Sequence, residues 1–258
     1  MLDYNLVIPM AGLGSRFLDA GYTTPKPLLP IGEFKMFETV IANLLSPGLR
    51  QLSLVAPGHF NLSTACSALS DQLGIEVTLT AIDEVTSGPS TTVAIGLEAL
   101  DRNLPVIVAN SDQFLSFEIN KWLVDIESRD LDGSILVMRD RDPKWSFAKI
   151  NSEGLVVEVR EKKVISDLAT CGVYYFRSPS DLSIAIAKQF ESNDTVNGEY
   201  YVAPLYNYFA QQGKSVGIFD LGPVSEVMFG LGTPIDYESF LLSEAMQLAL
   251  EINRESLG

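Results

Sequence analysis

Short apolar runs alternate with stretches of helical spacing through the first half of the chain. Asn5 to Pro9 reads as a strand, Phe37 to Leu45 carries apolar residues at helical intervals, and Gln51 to Ala56 is again a short apolar run. The alternation continues with a helix from Asn61 to Leu73, opened by Asn61 or Ser63 and closed by Gly74. A strand from Ile75 to Ile82 and a helix from Thr91 to Leu100 follow. Leu104 to Ala109 is then an apolar strand that stops at the polar Asn110, Ser111 and Asp112. Strands separated by helices of this length predict an α/β fold, with a mostly parallel central sheet covered by helices on both faces.

The second half has a different rhythm. Ser134 to Met138, Ser146 to Ile150 and Leu155 to Val159 read as strands, the last two joined by Asn151-Ser152-Glu153-Gly154, which has hairpin chemistry. Cys171 to Phe176 is a further strand. Helical spacing returns at Asp181 to Phe190 and at Tyr200 to Gln212, the latter ended by Gly213, and Glu238 to Arg254 predicts a closing amphipathic helix. No repeat or low-complexity linker divides the chain. The expectation is one domain over 1–258, with two halves, about 1–112 and about 113–240, sharing one sheet and a C-terminal helix over 238–255.

Composition narrows the classes. With 258 residues, 47% of them hydrophobic, the chain can build a substantial core. No stretch is long and apolar enough to span a membrane, and the start of the chain lacks the basic segment and cleavage site of a signal peptide, so a cytoplasmic protein is expected. Cys66 and Cys171 match no metal or disulfide spacing and read as buried thiols. A net charge of -15 argues against nucleic acid as a partner, because a polyanion is repelled before contact. Only 18 residues are Lys or Arg, so those beside glycine turns stand out.

One such turn follows the first strand. Gly12 and Gly14 come immediately after Ile8-Pro9-Met10-Ala11, where glycine lets backbone N–H groups approach phosphate oxygens and a following helical turn adds its positive end. A dinucleotide-binding fold starts similarly, but its third glycine would fall at Phe17, and no acid ends a second strand at the usual distance. Arg16 lies two residues past the second glycine, where a guanidinium can grip a phosphate with two hydrogen bonds. Lys26 sits between Pro25 and Pro27, on a stiff segment that limits the freedom lost on binding.

Taken together, these residues resemble the start of the sugar nucleotidyltransferase family, which opens with a strand, a Gly-x-Gly-x-Arg turn and a downstream Pro-Lys. The resemblance continues at Ser87-Gly88-Pro89-Ser90-Thr91-Thr92, at the strand-end Asn110-Ser111-Asp112-Gln113, at Glu161-Lys162 and at Cys171-Gly172-Val173-Tyr174-Tyr175-Phe176. It covers about 240 residues. Tyr22 to Pro27, Ser111-Asp112-Gln113 and Asn197 to Pro204 look most like the branch linked to capsular and lipopolysaccharide precursors.

What the resemblance implies is a Rossmann-like, nucleotide-diphospho-sugar transferase-like fold and transfer of a nucleoside monophosphate from a triphosphate to a sugar 1-phosphate or another small phosphomonoester. Arg16, Lys26 and Asp112 would be catalytic, with Asp112 also holding Mg²⁺. Ala11, Gly12, Gly14 and Gly88 would bind the nucleotide, and Glu161, Lys162, Gly172 and Glu199 the acceptor. The first half would thus be the nucleotide-binding half and the second the acceptor-binding half. Two anions must meet, so positioning and charge neutralisation carry the chemistry, and no protein nucleophile is needed. The single histidine, His59, accordingly lies outside every motif.

The family often places a second aspartate just before a Gly-Thr pair near its C-terminal end, where this chain has Gly230 before Leu231-Gly232-Thr233. Asp220 and Glu199 are the substitutes the sequence offers as a second metal ligand. A metal-dependent glycosyltransferase is the nearest rival, but it wants two acids one residue apart at the strand end. The other rival is a non-catalytic nucleotide-sugar sensor, which the glycine at 230 keeps in view. Neither the base, the acceptor nor the oligomeric state follows from the sequence.

Overall fold

The computed structural model describes residues 2–12 and 14–258; Leu13, the middle residue of the glycine turn, lies outside the described residues. Strand β1 (Tyr4–Pro9) leads through a short helix α1 (Ser15–Asp19) and a small hairpin, β2 (Pro30–Ile31) and β3 (Phe34–Lys35), into α2 (Met36–Asn43). Then come β4 (Leu49–Pro57), α3 (Ser63–Leu73), β5 (Glu76–Ile82), α4 (Pro89–Leu97) and β6 (Val106–Ala109). β1 pairs in parallel with β4 on one side and β6 on the other, and β4 pairs in parallel with β5.

The chain continues with β7 (Gln113–Leu115), α5 (Ile119–Ser128), β8 (Gly133–Arg139) and the hairpin of β9 (Ser146–Ile150) and β10 (Val156–Glu161). β11 (Leu168–Phe176), α6 (Pro179–Glu191), α7 (Tyr206–Gln211), β12 (Val216–Pro223), α8 (Val224–Val227) and β13 (Met228–Gly230) follow. Helices α9 (Pro234–Leu241) and α10 (Glu244–Leu257) close the chain. β11 joins the halves by running antiparallel to β6, β8 and β9, which completes a mixed nine-stranded sheet.

Strand alternation divides the core between the two faces of this sheet. Leu6 and Ile8 of β1 pack with Phe37, Ile41, Leu69, Trp122 and Ile126 from α2, α3 and α5. Val7 points the other way, toward Val93, Leu182 and Phe209 of α4, α6 and α7. Helices thus cover both faces, as the pattern of the sequence predicts. A smaller cluster gathers Phe17, Phe114, Tyr237 and Phe240 beneath the glycine turn and ties the C-terminal helices to it.

Several elements differ from the sequence reading. Tyr200 to Val202 is not helical: Tyr200 exchanges backbone hydrogen bonds with Ser87 and Ser90 at 2.9 and 3.0 Å, so a 3₁₀ turn begins only at Ala203 and α7 at Tyr206. The closing helix is two helices, because the Ser243 hydroxyl bonds back to the Phe240 carbonyl at 2.7 Å and the chain restarts as α10. Helix α5 and strand β12 were not legible as such, although Ile119, Trp122, Leu123 and Ile126 form a buried helical stripe. Among the described residues no helix is long and apolar enough to cross a membrane.

Candidate functional site

Strand β6 ends at the crest of the sheet, the place where open α/β sheets receive ligands. Just beyond it Asp112 accepts a hydrogen bond on Oδ2 from Lys26 Nζ at 2.8 Å. Lys26 opens a 3₁₀ turn over Lys26–Leu28, and Pro27 in its first turn fixes the backbone that carries it. Gly14 is the N-cap of α1, and a Cβ there would lie 3.3 Å from Lys26 Cβ, so the glycine turn and the lysine pack directly on one another.

Two cavities adjoin at this pair. The smaller, of about 230 Å³, is lined by Ala11, Gly12, Lys26, Gly88 and Glu199. The larger, of about 570 Å³, is lined by Arg16, Glu161, Lys162, Gly172, Trp145 and Tyr201. Pro89, Asn110 and Asp112 belong to both walls, so Asp112 stands at the junction. The structure therefore brings together every residue that the motifs single out, with one redistribution. Glu199, expected among the acceptor residues, lines the smaller cavity beside Gly88, while Arg16, expected beside the triphosphate, lines the larger one.

Glycine is required at two of these positions for reasons visible in the packing. Gly88 has φ of 129°, and a Cβ would lie 2.5 Å from the Tyr200 amide nitrogen. Gly172 has φ of 71° where β11 bulges between Thr170 and Tyr174, and a Cβ would overlap the Asn110 and Gln113 amides at 2.3 and 2.5 Å. Each glycine lets a second-half segment close onto a first-half loop, and that closure forms the cavity walls.

The larger cavity carries a connected set of polar groups. The Ser146 hydroxyl, opposite Glu161 across the β9–β10 ladder, donates to Glu161 Oε2. Burial pushes the Glu161 carboxyl above the usual carboxylate range, against the opposing pull of Ser146 and Lys162. Lys162 Nζ lies 3.9 Å from Glu161 Oε1 and donates to the Tyr201 hydroxyl at 2.5 Å. Burial and the Glu199 carboxylate raise the Tyr201 phenol well above its ordinary value, so it holds its proton and donates to Glu199 Oε2. The Trp145 indole N–H is fixed by Asp140 Oδ2 at 2.6 Å.

Ser146, Trp145 and Asp236 are residues of this site that motif reading missed, whereas Tyr201 lies within the Asn197 to Pro204 stretch that carries the resemblance and lines the larger cavity. Asp236 lines the larger cavity near Gly230 and hydrogen-bonds Thr233 at 2.7 Å. A Cβ at Gly230 would meet no atom within 4 Å, so the position opens onto free space. Asp220 lies elsewhere: it pairs with Arg139 at 2.7 Å, and Arg139 also holds Asp167. Tyr200 packs its ring against Phe190 and contributes backbone instead of a cavity wall. His59 is exposed on a 3₁₀ turn, and both cysteines are free and buried.

The sequence profile of the nucleotidyl transferase family matches residues 6–209. A crystal structure of a nucleoside-diphosphate-sugar pyrophosphorylase from Vibrio cholerae RC9 is 30% identical and superposes with a TM-score of 0.79, over 92% of this chain and 100% of that one. A UTP–glucose-1-phosphate uridylyltransferase of Salmonella typhimurium is 30% identical over 79 residues, 28% of this chain and 27% of that protein. A 2-aminoethylphosphonate cytidylyltransferase of Lancefieldella rimae is 43% identical over 51 residues, 20% of this chain and 21% of that protein. The chain thus spans about a quarter of the length of these curated relatives.

Proposed function

Because the chain belongs to the nucleotidyl transferase family, we propose that it transfers a nucleoside monophosphate from a triphosphate to a small phosphorylated acceptor and releases pyrophosphate. The observation that carries this reading is the pair of adjoining cavities meeting at Asp112 and Lys26. A donor in the smaller cavity and an acceptor in the larger one would present their phosphates to each other at that junction. An acceptor phosphate oxygen attacks the α-phosphorus; the bond from that phosphorus to the β-bridging oxygen breaks, and pyrophosphate leaves with the electron pair.

The roles follow from charge and placement. Lys26 neutralises the triphosphate at the junction and Arg16 faces it from the larger cavity. Ala11, Gly12 and Gly88 form the wall against which base and ribose would lie. Lys162 holds the acceptor phosphate, and Glu161, with one oxygen engaged by Ser146, offers the other to an acceptor hydroxyl or amine. Bringing two anions together is the main barrier, and fixed cations that need no reorganisation lower it.

The donor set at the junction fits Mg²⁺. Among the described residues no group of three or more His, Cys, Asp or Glu is gathered as a metal cage. Mg²⁺ takes most of its ligands from phosphate and water and needs only one or two carboxylates, and the Asp112 carboxylate stands where the two cavities meet. Asp112 would hold it, and Glu199, in the same cavity, is the nearer substitute for a second carboxylate than Asp220. When bound, the ion would neutralise phosphate charge and draw electron density from the α-phosphorus.

The similarities favour small phosphoryl acceptors of several kinds, so the test is a matrix. The four common nucleoside triphosphates are incubated with glucose 1-phosphate, other sugar 1-phosphates, phosphocholine and 2-aminoethylphosphonate, and pyrophosphate is read by a coupled assay. Release that depends on both partners supports the reading; release from no pair overturns it in favour of a sensor. Supply of activated precursors for capsule or lipopolysaccharide, in the cytoplasm, is the setting this reading proposes, on the branch resemblance.

A further inference from the structure

The Tyr201 side chain lines the larger cavity and reaches Glu199, which lines the smaller one. Its hydroxyl accepts a hydrogen bond from Lys162 Nζ at 2.5 Å and donates one to Glu199 Oε2. The same ammonium lies 4.5 Å from the Tyr201 ring centroid. Lys162 and Tyr201 line the larger cavity and Glu199 the smaller. One hydroxyl therefore joins a cation on the acceptor side to a carboxylate on the triphosphate side.

Backbone geometry shows that this junction is built. Lys162 has φ of 55°, a left-handed conformation that is strained for a residue with a Cβ. The conformation is held by the Lys162 N–H bond to the Trp145 carbonyl at 3.0 Å and, through the side chain, by Tyr201. An unrestrained lysine loses rotamer freedom when it grips a ligand. Holding the ammonium in advance removes part of that loss, and only one of its three N–H bonds is used by Tyr201.

We propose that Tyr201 is a positioning residue: its hydroxyl presets the Lys162 ammonium for the acceptor's phosphate and, through Glu199, couples acceptor binding to occupancy of the triphosphate cavity. The inference rests on the proposed assignment of donor and acceptor to the two cavities. Triphosphate contacts that shift Glu199 change the hydrogen bond it accepts from Tyr201, and Tyr201 in turn changes the hold on Lys162. Charge-assisted hydrogen bonds of this kind are strong enough to transmit such a bias.

Tyr201→Phe keeps the ring and deletes the hydroxyl. With the productive donor and acceptor from the substrate matrix, acceptor KM rises about tenfold or more, while triphosphate KM at saturating acceptor stays within about twofold. In the wild type the apparent acceptor KM falls as triphosphate rises; in the variant this dependence is lost. Combined with Lys162→Ala, the substitution adds no further rise, because Tyr201 acts through that lysine. Glu199→Gln is the second variant: it leaves the Lys162 contact in place and loses the dependence on triphosphate. Circular dichroism checks that each protein is folded. An unchanged acceptor KM in Tyr201→Phe, or a full multiplicative loss in the double variant, overturns the role of Tyr201 alone. A wild type that releases no pyrophosphate from any pair overturns the proposed function and this inference together.

Discussion

Lys26 and Asp112 meet at 2.8 Å as a part-buried pair beside the two cavities, and a single ion pair of this kind contributes about 1 kcal/mol to stability. Substitution should therefore separate folding from chemistry. Lys26→Ala and Asp112→Ala are each expected to abolish pyrophosphate release while leaving the circular dichroism spectrum intact and the Tm within about 4 °C. Full turnover by either variant would remove that residue from the mechanism. Glu161 makes a prediction in pH. Its carboxyl titrates above the ordinary carboxylate range because it is buried, so the folded state holds a proton that the unfolded state has already released. The buried charge is absent below the unfolded value near 4.5 and present above the raised folded value, and stability falls as pH rises between them. Glu161→Gln should thus be more stable than the wild type at neutral pH, with the difference closing on acidification. A difference in denaturant midpoint that is constant with pH would contradict this.

Legibility also divides at the level of residues. The glycine turn, Lys26, Asp112, Glu161 and Lys162 are visible in sequence because each carries charge or backbone freedom within a short motif. Ser146 is a case where counting would have failed. The hairpin pairs Ile150 with Val156, and an unbroken count from there puts Glu161 opposite Trp145; the bulge between Val156 and Glu158 shifts the register by one and delivers Ser146 instead.

Among the elements, those buried on both faces of the sheet were the easiest to read, since unbroken apolar runs such as Val106–Ala109 leave few alternatives. The segment from Tyr200 was misread because its apolar spacing suits a helix, while its first residues are claimed by backbone pairing with Ser87 and Ser90. Gly88 is what permits that pairing. Gly88→Ala would place a Cβ 2.5 Å from the Tyr200 nitrogen at φ of 129°, at a cost of about 1–3 kcal/mol. A fall in Tm together with a rise in triphosphate KM is expected, and an unaffected Tm would show that the two segments do not need their close approach. Helix α5 offers a purely structural contrast. Trp122 is fully buried and donates its indole N–H to Ser134 at 2.8 Å. Trp122→Ala should cost about 3–5 kcal/mol in denaturant unfolding and leave KM for both substrates unchanged in the folded fraction.

Across the whole molecule, the sheet does the work of assembly. β11 runs antiparallel to β6, so the bulge at Gly172 lies beside the strand end that presents Asp112, and the β9–β10 hairpin brings Glu161 and Lys162 to the same crest. The junction between the cavities is therefore a consequence of topology, and residues from widely separated stretches of sequence line the cavities that meet there. Charge is distributed to match: in a chain of net charge -15, Arg16, Lys26, Lys144 and Lys162 are concentrated around the two cavities, where phosphate would otherwise be repelled. The most direct test follows the α-phosphorus. With the productive triphosphate labelled at the α-phosphate and Mg²⁺ present, the label should pass to the acceptor product, the released pyrophosphate should be unlabelled, and EDTA should stop the transfer until Mg²⁺ is restored. Label that stays in free nucleoside monophosphate, that appears in pyrophosphate, or that is transferred undiminished after thorough metal removal would contradict the account.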